Sequence, residues 1–293
     1  STAAPAMALD FGPGFSLTGD VQLEYVTADG FDETIAYTDL TLGWRSQGGS
    51  AMGFGVDLGL DGVHFFDDSD TFTVEWLSLV MTTSNGEFAI GRPRSALKGM
   101  FDTPETGGAQ LVELEFGFVS ESLLNYIPAV EDADILGLTY KGSAGDLSYG
   151  LGYHRLSEGS SDADVYEAGA TYQLGQAKIY GAFSHIEASG LDGSLYQIGA
   201  AYDADRWSAG ALVSKADYPS TQATTTKIFG DYMVTDALSV GAQVLSLNAT
   251  GTINYYGLST EYGFGQGGYA GLGVVIPEGA TDNLYTASVG FRF

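Results

Sequence analysis

Cysteine is absent from the 293 residues, which removes disulfide frameworks and thiolate metal sites. Cations are scarce: 11 Lys and Arg stand against 37 Asp and Glu, a formal net charge of −26. A nucleic-acid partner is excluded, because phosphates need clustered Lys and Arg. No apolar run approaches the ~18 residues of a membrane-spanning helix. The three histidines, His64, His154 and His185, stand on separate segments, and we expect His154 and His185 to be rim residues. No phosphate-binding glycine motif appears in a strand-to-helix context, and no fixed short repeat marks a β-helix.

What is present is 44% hydrophobic residues, too many for an acidic disordered chain, with 42 Gly and 13% aromatics. The dominant period is two, which predicts strands. Phe15, Leu17, Val21, Leu23 and Tyr25 alternate with Ser16, Thr18, Asp20, Gln22 and Glu24. Similar segments follow near 34–45, 52–60, 72–82 and 87–92. After a long gap they resume near 135–141, 147–155, 165–174, 177–186, 195–203, 207–215, 224–234, 238–247, 253–262, 269–276 and 283–293. That is about sixteen, mostly of a length that crosses a hydrocarbon core when tilted. Short turns alternate with longer polar stretches such as Asp61–Asp70, Ser157–Ala163 and Ala216–Ala223, the rhythm of an up-and-down membrane barrel. Outward aromatics fall at both strand ends: Phe15, Trp44, Tyr140, Tyr172, Tyr202, Trp207, Tyr232, Tyr262 and Phe293 at the short turns, and Tyr25, Tyr153, Tyr166, Phe183, Tyr196, Tyr256 and Tyr285 at the loops. Two such girdles suit two membrane interfaces. A soluble sandwich also alternates, but nothing in its packing asks for aromatics at both ends of its strands.

Three stretches carry a family resemblance: "LTGDVQLEY" in the first strand, "IGRPRSALKGMFD" after the fifth, and "GFRF" ending in Phe293. With the strand rhythm, they resemble the general porins of Gram-negative outer membranes, most closely those of alphaproteobacteria. The resemblance implies a sixteen-stranded antiparallel transmembrane β-barrel, integral to the outer membrane amid lipid and lipopolysaccharide, usually a homotrimer. It further implies a third long loop folded into the lumen and a terminal aromatic serving as assembly signal. One domain spans 1–293, with 1–13 as an irregular leader; many relatives start almost directly at the first strand.

The connection 93–133 takes the place of the inward loop. It carries Asp102, Glu105, Glu113, Glu115, Glu121, Glu131 and Asp132, close to Arg92, Arg94 and Lys98. By register Arg45, Lys141, Lys178, Lys227 and Arg292 point inward, as do Asp20, Glu24, Asp39, Asp57, Glu167 and Asp231. We expect a charged eyelet in which loop carboxylates face Arg45, Arg92, Arg94 and Lys141, with weak cation selectivity. Val112, Leu114, Phe116 and Phe118 alternate with Glu113, Glu115 and Gly117, so 111–119 reads as loop or as strand. An even strand count favours the loop, packed on Leu77, Leu79 and Met81, which this register turns inward.

The function expected is passive diffusion of ions and small hydrophilic solutes, without cofactor or catalysis. A substrate-specific channel, for a sugar say, would want an inner aromatic slide, and Tyr180, Phe229 and Tyr255 look scattered. A non-transporting adhesin, receptor or lipase is the remaining alternative; a lipase needs Ser–His–acid on the exterior. The acidic stretch "FFDDSD" offers Asp67, Asp68 and Asp70 as a weak Ca²⁺ candidate without EF-hand spacing.

Overall fold

A segment with one apolar face and one polar face can separate hydrocarbon from water, provided its main chain finds partners in neighbouring strands. The computed structural model describes residues 9–10, 12–46, 52–66, 70–110, 124, 133–159, 161–188, 191–219, 221–280 and 282–293. The strands are β1 (Phe15–Ala28), β2 (Phe31–Arg45), β3 (Met52–Phe65), β4 (Thr71–Thr83), β5 (Gly86–Arg92), β6 (Asp134–Ala144), β7 (Leu147–Glu158) and β8 (Ser161–Leu174), then β9 (Ala177–Ala188), β10 (Leu191–Asp203), β11 (Trp207–Tyr218), β12 (Thr221–Met233), β13 (Leu238–Asn248), β14 (Thr252–Gly265), β15 (Gly268–Pro277) and β16 (Leu284–Arg292). Each pairs antiparallel with the next, and β16 closes on β1 from Tyr285 opposite Thr27 to Arg292 opposite Asp20. Phe293 extends the closure, its N–H donating to Gly19 O at 2.8 Å. The fold is therefore a closed sixteen-stranded antiparallel barrel. Leu9 and Asp10 add a two-residue pairing to β1. Because β5 pairs directly with β6, nothing from 93–133 is inserted between them.

The strands are longer than the alternation predicts, and the long–short rhythm of connections largely disappears. Apart from 93–133, both ends of the barrel carry short connections. Asp61, Ser157, Glu187 and Ala216 continue the ladder instead of leaving it. Polar residues are compatible with this: at strand ends beyond the hydrocarbon, as at Ser157 and Glu187, or on the lumen face, as at Asp61, a strand needs no apolar side chain.

The two faces separate cleanly. On β1, Val21, Leu23 and Tyr25 are exposed outward while Gln22, Glu24 and Val26 are buried inward. On β4 the sense is the reverse of the expectation. Leu77 and Leu79 are outward at 54% and 63% exposure, and Met81 shares their register opposite outward Phe54. Val74, Trp76, Ser78 and Val80 face in. A one-residue shift in register exchanges the faces of a whole strand, and both faces of β4 are apolar enough to hide the choice. Leu124 packs on Val74 and Trp76, together with Ile135, Leu156 and Val165.

Candidate functional site: the charged lumen

The stretch 93–110 of the long connection is held against inward-facing side chains of the wall. Arg94 bonds Asp61, Asp39 Oδ1 (3.0 Å) and Leu40 O (2.7 Å), reaching β2 and β3. Lys98 Nζ donates to Asp39 Oδ2 at 2.6 Å. Ser95 Oγ and Ala96 N both donate to Glu167 of β8, at 2.8 and 3.0 Å. Thr171 Oγ1 donates to Met100 O at 2.9 Å. Phe101 stacks on Tyr180 with ring centroids 5.2 Å apart, and Lys178 Nζ lies 5.4 Å from the Phe101 ring. A short 3₁₀ turn, Thr106–Gly108, then meets the opposite arc. There Gly107 N–H donates to Gln243 Oε1 (3.1 Å), and Gly107 O accepts from Thr286 Oγ1 (3.1 Å). Gln110 N–H ends this stretch on Glu24 Oε2 at 3.0 Å.

The wall carries the imprint of this path as missing side chains. A Cβ on Gly59 would meet Arg94, on Gly150 or Gly152 Ala96, on Gly169 Leu97, on Gly199 Phe101, and on Gly257 or Gly273 Gly107. All seven positions are inward by register. This signal was present in the sequence, since inward glycines leave room for main chain to approach, but only a known register makes it readable.

The charges are arranged differently from the expected eyelet. Loop bases meet wall acids, not the reverse. Arg94 and Lys98 are paired by Asp39 and Asp61. On the wall Arg45 is held by Asp57 and by Glu87 at 3.0 Å. Lys141 Nζ donates to Lys98 O at 3.1 Å. Arg92 sits opposite Leu77 on the outward face, interacting with Asp134 and Glu75, and its guanidinium lies 6.0 Å from the Trp76 ring. With so few cations, Arg45, Arg94, Lys98 and Arg292 are each held by nearby carboxylates. Asp61 was expected in a loop, and Glu87, Glu261 and Tyr269 were not singled out; each charge lies within an ordinary alternating strand.

Asp102 and Glu105 stand on the other arc. Below the 3₁₀ turn they line a cavity of ≈ 190 Å³ with Asp231, Glu261, Tyr269 and Arg292. Arg292 is bidentate to Glu261 (both 2.7 Å) and its guanidinium stacks 3.9 Å from the Tyr269 ring. On the β4–β9 side, Lys98, Lys141 and Lys178 line a second cavity of ≈ 640 Å³ with Thr82, Ser143 and Ser148. Glu113, Glu115 and Glu121, and the whole of 111–119, lie outside the described residues, as do Asp67 and Asp68. Asp70 closes its hairpin through main chain, accepting from Phe65 N–H at 2.9 Å.

The inward aromatics Tyr180, Phe229 and Tyr255 are gathered, not scattered. They cluster with Leu212, Leu245 and Val275, and Phe101 and Ala109 cover them. Covered rings offer no slide to a passing sugar. His154 is buried inside the barrel beside Glu167, not at the rim, because its strand position is inward. His185 does stand outside: its Nδ1 lies 3.0 Å from Ser194 Oγ and its Nε2 3.6 Å from Asp192 Oδ1. This places a base beside a hydroxyl. His185 and Ser194 themselves sit in ladders paired on both sides.

The aromatic residues of the expected girdles occupy the outward face. Trp44, Trp207, Tyr232 and Tyr262 are exposed toward the turn end, and Tyr166 and Tyr196 toward the other. Tyr202 stacks on Trp207 at 5.2 Å, Tyr153 lies 5.4 Å from Tyr166, and Phe291 lies 4.9 Å from Phe293.

An apolar exterior between aromatic ends and a charged interior describes a membrane channel. A family model described as Gram-negative porin matches residues 1–252. The chain belongs to that family, and it is an integral protein of the Gram-negative outer membrane. Among solved structures, a multiply substituted variant of the Rhodopseudomonas blastica porin is similar at 16% identity and TM-score 0.73, covering 95% of this chain and 100% of that one. Another variant of the same porin is similar at 17% identity and TM-score 0.72, with the same coverage. No curated protein matches the sequence.

Proposed function

We propose that this porin is a general diffusion channel for ions and small hydrophilic solutes, weakly cation-selective, with 93–133 as its constriction. The observation that carries this is the path of 94–110, held inside the barrel from Asp39 and Asp61 on β2 and β3, past Glu167 on β8, to Gln243 on β13 and Glu24 on β1. Two features support the selectivity. Inward acids outnumber inward bases among the described residues, and most bases are already paired. The acids of the Asp102 cavity also lie across the lumen from the lysines of the other cavity. Fixed charges of opposite sign on facing walls order water and disfavour apolar solutes, while the excess sign selects ions.

Changing Asp102 to Asn and Glu105 to Gln together should move the reversal potential in a salt gradient toward anions. An unchanged reversal potential would place selectivity elsewhere. The same reading includes a homotrimer in contact with lipopolysaccharide. Its support is the outward face of β2–β6, where aliphatic Leu42, Leu58, Leu79, Ile90 and Leu136 surround the charged group Glu75, Arg92 and Asp134. Charges facing lipid are costly, and a neighbouring subunit would remove them from it.

A further inference from the structure

Arg94 and Ser95 are consecutive, yet strands well apart in the wall hold them: β2 and β3 take Arg94, and β8 takes Ser95. The β8 anchor is one carboxylate. Glu167 accepts from Ser95 Oγ and Ala96 N, and His154 Nε2 lies 3.3 Å from its Oε2. Both side chains are fully buried. His154 Nδ1 has no hydrogen-bond partner and faces Gly137, where a Cβ would come within 2.6 Å. A buried N–H left bare is costly, so the proton belongs on Nε2, donated to Glu167. Gly152 keeps this corner open, since a Cβ there would meet Glu167 Oε2 at 2.6 Å. Charge-assisted hydrogen bonds of this kind are about twice as strong as neutral ones, and here they grip the loop two residues from its start.

We propose that Glu167, supported by His154, is a positioning residue that fixes how far the connection reaches across the lumen, and so sets the calibre of the pore. This rests on 93–133 being the constriction. Glu167 itself is sealed beneath Ser95 and Ala96 and does not meet solute.

The test uses the full-length channel in planar bilayers. In E167A, open-channel current variance should rise severalfold and larger polyethylene glycols should enter. E167Q keeps one acceptor oxygen and should fall between E167A and the native channel. If E167A does not fold, S95A removes a single hydroxyl and should show the same change more weakly. A purely structural contribution would lower the yield of heat-modifiable barrel while leaving the current of folded channels native, and that result overturns the proposal. The native chain has no cysteine, so D102C provides a lone thiol to separate the two ideas. If a charged thiol reagent leaves the D102C current unchanged, the constriction reading fails and takes this proposal with it. If the reagent blocks D102C but E167A and E167Q conduct like the native channel, only the positioning claim is lost.

Discussion

Two arginines one residue apart divide the labour of the "RPR" run. Arg92 ends β5 on the outward register, whereas Arg94, beyond Pro93, turns inward and meets three acceptors on β2 and β3. Replacing Arg94 with Gln leaves Lys98 as the cation shared by Asp39 and Asp61. The lumen becomes more negative and the loop loses an anchor. R94Q should therefore shift the reversal potential toward cations and make the current noisier. R92Q should leave selectivity native in the same recording. Equal shifts in both variants would mean that Arg92 also faces the solute. At this scale the sequence set Arg92 and Arg94 side by side as lumen bases; only the register parts them, and partner choice depends on distances between strands far apart in the chain.

At the scale of elements, the connection and the wall were made for each other's shape. Gly273 of β15 and Gly257 of β14 let the Thr106–Gly108 turn touch the sheet main chain to main chain. A methyl at Gly273 would land on the Gly107 carbonyl, and backbone cannot rotate away as a flexible side chain can. G273A should push this turn off the wall while the barrel, whose ladder is untouched, still forms. Conductance and polymer exclusion should change with normal heat-modifiable migration; a native-like channel would show that the turn is not held there. The register of β4 teaches the complementary lesson. Its two faces, Leu77–Leu79 and Val74–Trp76–Val80, are both apolar. Hydrophobicity alone cannot choose between lipid and a packed loop.

For the molecule as a whole, charge is the dominant fact. A net −26 shared between lumen and rims makes cation preference an electrostatic effect, and such effects are screened over ~10 Å at 0.1 M salt but ~3 Å at 1 M. Selectivity measured by reversal potential should be clear in dilute gradients and nearly vanish in concentrated ones. Persistence at 1 M would point to close-range coordination instead. Subunit assembly belongs to this scale too. Single cysteines replacing outward Leu79 or Leu138 should cross-link neighbouring copies, whereas one replacing Ile228 of β12 should not. The opposite pattern would move the interface to the other side of the barrel.

By itself the sequence determined the barrel. Period-two alternation, aromatics near strand ends and the count of segments are local properties, and each strand obeys them separately because lipid and water act on every residue directly. It also determined the excess of carboxylates. Only the tertiary structure decided which acid neutralises which base, which face of β4 looks inward, and where 94–110 lies. Those outcomes depend on closure. Once β16 meets β1, strands distant in sequence share one narrow lumen, and the inward glycines of seven wall positions become a track that no single strand could reveal.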